Sequence, residues 1–260
     1  MRTLVRIADS NWKHILLTGR SSRTGLARAL SKLGYCSRSE ARRLITEGRV
    51  QLNGYISRNP EAPVRMGTDR VEVNGAKVVG ARRIYLMLNK PRGIVTTARD
   101  EKGRDTVYGR LQQKDGWLAP VGRLDKASEG LLLFTNDSAW ATGITAPESH
   151  LDKTYHVQIG SLADDRLLAR LRAGIRESGE LLKAKRARVL RQGQKNCWIE
   201  IVLDEGKNRH IRRTFAALGI EVLRLVRVAI GELRLGALSK GEVRDLTPQE
   251  VKKMATTERK

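Results

Sequence analysis

An aspartate flanked by cations is the first feature of this sequence that could carry out chemistry. Asp125 lies between Arg123 and Lys126, in a polar turn that precedes the apolar run 131–135. Loops held by rigid strands often carry catalytic groups, and cationic neighbours keep a carboxylate ionised near neutral pH, as a nucleophile requires. Two interpretations stay open, a nucleophilic carboxylate or a turn aspartate paired with a local arginine.

A cationic segment at 207–213 is the second candidate. Its basic residues are Lys207, Arg209, Arg212 and Arg213, with His210 among them. The apolar spacing that follows predicts a helix start, where the helix dipole repels cations. An anion opposite the segment, either a phosphate or the Asp125 carboxylate, would compensate for that repulsion. A solvated basic turn is the alternative.

The familiar cofactor motifs are missing from the sequence. The 4 histidines and 2 cysteines do not have the spacing of a metal site. There is no phosphate-binding GxxxxGK loop, no dinucleotide-binding GxGxxG and no serine elbow. We therefore expect that an enzyme built on these residues needs no metal, nucleotide or redox cofactor.

The charge of the chain indicates an anionic partner. Its 260 residues include 50 Lys+Arg and 28 Asp+Glu, for a net charge of +22. Such a charge favours nucleic acid over an anionic membrane or no specific partner. Aromatic residues are only 4%, which argues against an extensive base-stacking platform. No apolar run is long enough for a transmembrane helix, and the cysteine usage suits a reducing cytoplasm.

The N-terminal part of the chain has the helix-capping and turn residues that are typical of a small domain. Apolar spacing predicts a helix that ends at Gly34, and the pair Ser37 and Glu40 predicts a capping box for a second helix. That second helix would present Arg38, Arg42 and Arg43. Two Asn-Gly pairs, at 53–54 and 74–75, predict hairpin turns between short strands.

From residue 84 the pattern changes to strands mixed with helices. Strands are predicted at 84–88, 131–135, 155–159, 184–190, 198–203, 222–230 and 233–238. Helices are predicted at 164–175 and 209–218, with a last one that begins at a capping box, 247–250. We therefore predict a basic lead-in at 1–24, poorly ordered or an organelle transit peptide, and domains at 25–74 and 84–247. A linker at 75–83 and a C-terminal helix and tail at 248–260 complete the chain.

Two stretches carry a resemblance to known families. The segment LARALSKLGYCSRSEARRLITEGRVQLNG resembles the S-four-type RNA-binding domain. The motifs KPRGIVTT, GRLDKASEGLLLFTND, KTYHVQI and LDEGKNRHIRRTFAALG follow the order seen in rRNA pseudouridine synthases of the RsuA/RluB/RluE/RluF type. The resemblance implies an α+β chain, with a small helix-rich RNA-binding domain before a mixed, mainly antiparallel-sheet catalytic domain.

The same resemblance implies the activity. A uridine of ribosomal RNA, with a lean to the large subunit, is isomerised to pseudouridine: the base is detached from its ribose, turned, and rejoined through a carbon. No cofactor is needed, and a cytoplasmic monomer is expected. A non-catalytic RNA-binding or ribosome-assembly protein, or a synthase acting on another RNA such as tRNA, stays an alternative.

Site residues follow from the matched motifs. The resemblance assigns Asp125 as the catalytic aspartate, Tyr155 as the aromatic residue that stacks on the base, and Arg212 as the partner of Asp125. Arg213 is the alternative partner. Contacts to RNA are expected from Arg123, Lys90, Arg38, Arg42, Arg43, Arg209 and Arg213; for Lys90, structural support is an equal alternative. His210 departs from the glutamine expected at its position in the motif.

Overall fold

The computed structural model describes residues 23–98, 100–111 and 116–256. The predicted lead-in lies outside the described residues, apart from its last two positions. Within the described part of the chain, no helix is long and apolar enough to cross a membrane. The chain divides into two compact units, one made of residues up to 30 together with 38–79, the other of 31–37 together with 80–260.

The first unit combines two short helices with small sheets. Its elements are β1 (Thr24–Gly25), α1 (Leu26–Lys32), α2 (Arg38–Thr46), β2 (Val50–Leu52), β3 (Tyr55–Ile56), β4 (Pro63–Val64), β5 (Val71–Val73) and β6 (Ala76–Lys77). Strand β1 pairs with β4, and the order β3-β2-β5-β6 forms a four-stranded sheet. Both predicted Asn-Gly hairpins are confirmed, because Asn53 and Asn74 have φ of 54° and 52° and a glycine follows each. Strand β6 lies inside the predicted linker 75–83, so the first part of that segment belongs to this sheet.

The second unit is built on one large mixed sheet. Its strands are β7 (Tyr85–Lys90), β8 (Ala119–Val121), β9 (Glu129–Thr135), β10 (Lys153–Ile159), β11 (Ile175–Glu177), β12 (Glu180–Leu182), β13 (Arg186–Gln192), β14 (Cys197–Leu203), β15 (Val222–Ile230), β16 (Leu233–Arg234) and β17 (Val243–Asp245). The main order is β13-β14-β10-β15-β9-β7-β17, and β16 and β8 pair with β15 and β9. The β15–β9 pair is parallel and the other described pairs are antiparallel, which confirms the mainly antiparallel sheet.

Helices of the second unit pack against both faces of the large sheet. They are α3 (Ser138–Thr145), α4 (Asp165–Ala173), α5 (His210–Ala217) and α6 (Pro248–Thr256), with 3-10 turns at Val107–Arg110 and Pro147–Ser149. Helices α4 and α5 pack on β10, β13 and β14, and a second apolar cluster lies on β7 and β9. Tyr155 contacts both clusters, so they share one face. Helices α3 and α6 cover the opposite side of β7 and β9.

Most predicted elements are confirmed with ends that differ by up to two residues, and two of them end earlier than predicted. The helix predicted to reach Ile175 ends at Ala173, because Gly174 has φ of 95° and Ile175 opens a hairpin strand instead. The strand predicted at 233–238 stops at Arg234. The capping box of α6 is confirmed, since Thr247 and Glu250 each accept a hydrogen bond from the other's backbone N–H, at 3.2 and 2.8 Å.

Candidate active site

A buried lysine holds the loop that carries Asp125, through hydrogen bonds to the backbone carbonyls of the loop. Lys90, at the end of β7, is 0% exposed, and its Nζ donates to the carbonyl oxygens of Asp125 at 3.1 Å and Ser128 at 2.8 Å. A third bond of 3.1 Å goes to the Pro91 carbonyl. Burial lowers the pKa of Lys90 to about 8, although the nearby Asp125 carboxylate partly opposes the shift. The predicted RNA contact of Lys90 is therefore wrong, because no part of its side chain reaches the surface.

The rest of the KPRGIVTT motif holds the same loop. Thr96 Oγ1 donates to the Leu124 carbonyl at 2.8 Å, and the Gly93 N–H donates to the Lys126 carbonyl at 2.8 Å. Each bond ends on a backbone oxygen one residue away from Asp125. The conformation of the aspartate loop is thus set by a segment about thirty residues earlier in the chain.

Asp125 and Tyr155 line one cleft of about 600 Å³. Asp125 is partly exposed, and Tyr155 projects from β10 on the face that carries the two apolar clusters. Arg123 is exposed and lines the same cleft. Other lining residues include Leu124, Lys153, Leu203, Asp204, Asn208, Arg209, His210, Ile211 and Arg227. The structure therefore brings together the aspartate, the aromatic residue and the loop arginine that the motifs singled out.

Among the described residues, Arg209 forms an ion pair with Asp125. Its Nη1 lies 4.0 Å from Asp125 Oδ2, and both side chains are partly exposed. Arg209 is the N-cap of α5 and has φ of 48°, a left-handed conformation that costs energy for a non-glycine residue. That backbone conformation holds the guanidinium at the cleft, where the sequence predicted only an RNA contact.

Arg212 lies beside the Asp125 loop without pairing with its carboxylate. Its Nη2 donates to the Ala127 carbonyl at 3.0 Å and its Nη1 to the Val222 carbonyl at 3.4 Å. Burial and the neighbouring Arg209 lower its pKa, while Asp125 raises it. Within the described chain, Asp125 and Arg212 form no direct ion pair, and the role of Arg212 as the partner of Asp125 stays a prediction.

Arg213 is directed away from the cleft. Its guanidinium pairs with Glu177 and, at 2.6 Å, with Glu180, on the hairpin formed by β11 and β12. These two carboxylates raise the pKa of Arg213. The alternative of Arg213 as partner of Asp125 is therefore wrong, and its side chain ties α5 to the hairpin.

Two cations of the cleft, one of them buried, were not predicted. Arg227 of β15 is 6% exposed, and its Nε donates to the Leu131 carbonyl at 2.8 Å. Lys153 opens β10, and its pKa is lowered by burial and by Arg227. Basic residues inside otherwise apolar strands are the signal that could have found them. Strand spacing alone does not say which cleft they face.

His210 fills the position where glutamine was expected. It is buried, and its Nδ1 lies 3.8 Å from Glu205 Oε1. Burial lowers its pKa below the ordinary value of 6.5, so the imidazole is neutral at pH 7. A neutral, buried ring provides packing at the start of α5 and adds no charge to the cleft.

The three arginines of α2 differ in their partners. Arg42 pairs with Glu61 at 2.6 Å, and Arg43 bridges Glu40 and Glu47 at 2.7 and 2.8 Å. Arg38 is exposed and has no carboxylate partner among the described residues. All three side chains lie at the surface of the first unit, where they were predicted.

No site for a metal ion is formed by the described side chains, since no group of three His, Cys, Asp or Glu comes together there. Cys36 and Cys197 are both buried and form no disulfide.

Comparison with known proteins places two family models on the chain. The model for RNA pseudouridylate synthase matches residues 84–217, and the S4 domain model matches residues 24–71. The ribosomal large subunit pseudouridine synthase B of Bacillus subtilis (strain 168) is 38% identical over 232 residues, covering 88% of this chain and 94% of that protein. An uncharacterized RNA pseudouridine synthase of Aquifex aeolicus (strain VF5) is 38% identical over 223 residues, covering 85% and 90%. A crystal structure of a pseudouridylate synthase matches with a TM-score of 0.62 at 30% identity, covering 90% of this chain and 100% of the other.

Proposed function

The chain belongs to the RNA pseudouridylate synthase family, and from this premise we propose that it isomerises a uridine of large-subunit ribosomal RNA with Asp125 as the initiating residue. The family makes it an isomerase that acts on RNA, and its S4 domain is an RNA-binding module. The choice of large-subunit RNA is supported by the name of the Bacillus subtilis relative. We also propose that the enzyme is cytoplasmic, and that it acts as a monomer.

The observation that carries the proposal is a carboxylate held at a cleft large enough for a nucleotide. The 600 Å³ cleft contains the Asp125 side chain, with the Arg209 guanidinium 4.0 Å from its oxygen. A carboxylate is a group that can attack a sugar carbon or otherwise start glycosidic cleavage. The bond between ribose C1′ and uracil N1 then breaks and a C1′–C5 bond forms; the proton on C5 is released and N1 takes up a proton, so that the product is an isomer of the substrate.

The uridine must leave its helix before this chemistry can begin. A stacked, paired base does not expose its glycosidic bond, so enzymes of this kind extrude the nucleotide. We assign to Arg123, which is exposed and lines the cleft, the filling of the gap left in the stack. We assign to Tyr155, which lines the same cleft, stacking on the extruded uracil and assistance in the removal of its C5 proton.

Docking of the RNA is assigned to cations outside the cleft as well. Arg38 is exposed and has no carboxylate partner among the described residues, so its whole charge is available to phosphate. Arg42 and Arg43 are exposed but paired with glutamates, and a phosphate would have to compete with those partners. We therefore rank Arg38 first among the phosphate contacts of α2.

Release of tritium from ribosomal RNA labelled at uridine C5 tests the proposed function. Wild-type protein is expected to release label, and Asp125→Asn is expected to abolish release while RNA affinity stays within about twofold. Asp165→Asn, which changes an exposed carboxylate on α4 of the same unit, is the matched control and is expected to keep full activity.

Two outcomes would contradict the proposal. If Asp125→Asn releases tritium as fast as the wild type, Asp125 does not initiate the reaction. If the wild type binds ribosomal RNA and releases no label from either subunit's RNA, the protein either acts on another RNA or binds ribosomal RNA without catalysis. Separate labelled large- and small-subunit RNAs decide which subunit is the substrate.

A further inference from the structure

The side of the sheet opposite α4 and α5 carries an ordered basic surface. Side chains of β13, β14, β10 and β15 form two rows across the strands there, because residues in register lie side by side. The first row is Arg191, Trp198, Gln158 and Arg224; the second is Arg188, Glu200, His156 and Val226. We call these two rows the outer sheet face. Neither row contributes to the cleft of Asp125.

A bulge in the edge strand places Arg191 on this face. Along β13, Val189 pairs with Ile199, but the next partner of β14, Trp198, pairs with Arg191 rather than with residue 190. A bulge adds one residue to a strand and re-aims the side chains that follow. Without it, Arg191 would point to the face covered by α4. The irregularity thus brings a second guanidinium beside Trp198.

Trp198 orders two guanidinium groups. The Cζ atoms of Arg191 and Arg224 lie 5.3 and 5.5 Å from the centre of its ring, within the range of cation–π attraction. Arg224 is also held by Glu129 at 3.1 Å, whereas Arg191 is exposed and has no carboxylate partner in the described part of the chain. Two preoriented guanidiniums lose less side-chain entropy when they bind an anion than two free ones.

The acidic residue of the face is already neutralised. Glu200 accepts from Arg188 at 2.7 and 3.1 Å and lies 3.6 Å from His156. The surface continues into an open groove of about 1370 Å³ that shares His156. That groove adds Lys185, Arg186 and Arg234, and the first two share one carboxylate, Asp152, among the described residues. The outer sheet face and its groove therefore keep a net positive charge.

We propose that the outer sheet face binds the phosphate backbone of the RNA substrate, at a second place remote from the reacting uridine. Guanidinium groups match phosphate geometry with two parallel hydrogen bonds, and the enzyme already acts on a polyanion. The first row spans three inter-strand spacings, roughly 14 Å, which suits a strand of RNA better than a single small anion. The proposal rests on RNA as the substrate and is independent of the role given to Asp125.

The salt dependence of RNA affinity tests this surface. Binding of in vitro transcribed ribosomal RNA is measured from low to moderate salt, with Asp125→Asn protein so that no reaction occurs. Each lost phosphate contact lowers the slope of log K against log salt by about 0.7–0.9, so Arg191→Gln should lose that much slope and about eightfold in affinity near 0.1 M salt. Arg191→Glu should lose more.

Arg166 provides the matched control. It is an exposed arginine on α4, on the covered side of the sheet, and it has no carboxylate partner in the described chain. Arg166→Gln and Arg166→Glu remove the same charge and should leave the slope unchanged. In otherwise wild-type protein, Arg191→Gln should raise KM for tritium release and keep kcat at saturating RNA.

Equal slopes for the Arg191 and Arg166 variants would overturn the proposal, as would a loss of kcat at saturating RNA. If the Arg191 variants bind RNA with unchanged affinity, the outer sheet face does not bind RNA, and a protein partner becomes the alternative. These outcomes are separate from failure of the proposed function. A wild type that releases no tritium can still show the Arg191 effect on binding, and an active wild type can lack it.

Discussion

Replacing Lys90 with methionine removes the buried ammonium while it keeps an unbranched apolar side chain. The ammonium makes three hydrogen bonds of 2.8–3.1 Å to backbone carbonyls and is 0% exposed. Hydrogen bonds to a charged group contribute about 2 kcal/mol each, so the three contribute about 6 kcal/mol. Desolvation opposes this contribution and outweighs the attraction of Asp125 and Glu129, so that the pKa of Lys90 falls from 10.5 to about 8, a net shift equivalent to about 3 kcal/mol. We therefore expect Lys90→Met to lower the free energy of unfolding by about 3 kcal/mol.

The same pKa predicts how this loss depends on pH. The native state releases the Lys90 proton near pH 8, whereas the unfolded chain keeps it until about 10.5. Between these values the unfolded state binds more protons, so the stability of the wild type rises with pH relative to the variant. The difference between the two proteins should widen by up to about 3 kcal/mol across that window and stay constant below pH 7.

Urea unfolding of the full-length proteins measures the stability, and tritium release measures the effect on the site. Two of the three carbonyls belong to Asp125 and Ser128, so their loss should displace the aspartate loop. A displacement of about 1 Å lowers rates by about 100-fold, so kcat should fall by that factor with little change in KM. Lys183→Met, at an exposed lysine, is the control. A Lys90→Met protein with wild-type stability and kcat would refute the supporting role of Lys90.

Two further substitutions probe how the cleft is built. Gly130→Ala would place a Cβ atom against the Arg227 carbonyl oxygen at a φ of 101°, so we expect at least about 3 kcal/mol of destabilisation in urea. Gly109→Ala, whose Cβ would meet no atom within 4 Å, should cost no more than about 1 kcal/mol. Arg209→Ala should lower kcat by at least tenfold with unfolding unchanged within about 0.5 kcal/mol, whereas Arg213→Ala should cost about 1–2 kcal/mol of stability and affect kcat less. A reversed order of the two arginines in both assays would contradict the ion pairs described above.

The sequence predicts those site residues whose role depends on their neighbours in the chain. Asp125 and its loop follow from a charged turn before a buried strand, and all seven residues of β9 are buried as the apolar run indicated. The burial of the Lys90 side chain could not be predicted in this way. A lysine at the end of a strand is exposed in most proteins, and this one is buried by carbonyls 35 and 38 positions away. Only tertiary structure brings those acceptors together.

The different partners of the arginines at the start of α5 could not be predicted from the sequence either. Helical spacing separates Arg212 from Arg213 by about 100°, so one can face the cleft while the other faces the hairpin of β11 and β12. Spacing alone does not say which, because the answer depends on where that hairpin lies. The ion pair of Arg209 depends on a left-handed residue, and propensity disfavours that conformation for arginine.

The parallel pairing of β15 and β9 explains why the cleft lies where it does. It joins the half of the sheet covered by α4 and α5 to the half made of β7 and β9. Gly130 allows this junction, because Arg227 and the glycine backbone approach closer than any side chain permits. Asp125 enters from one half, while Tyr155 and Arg209 enter from the other. The Asp125 carboxylate therefore lies beside the Arg209 guanidinium only when β15 and β9 are paired. Gly130 permits that pairing, so the active site depends on this glycine as well as on the aspartate.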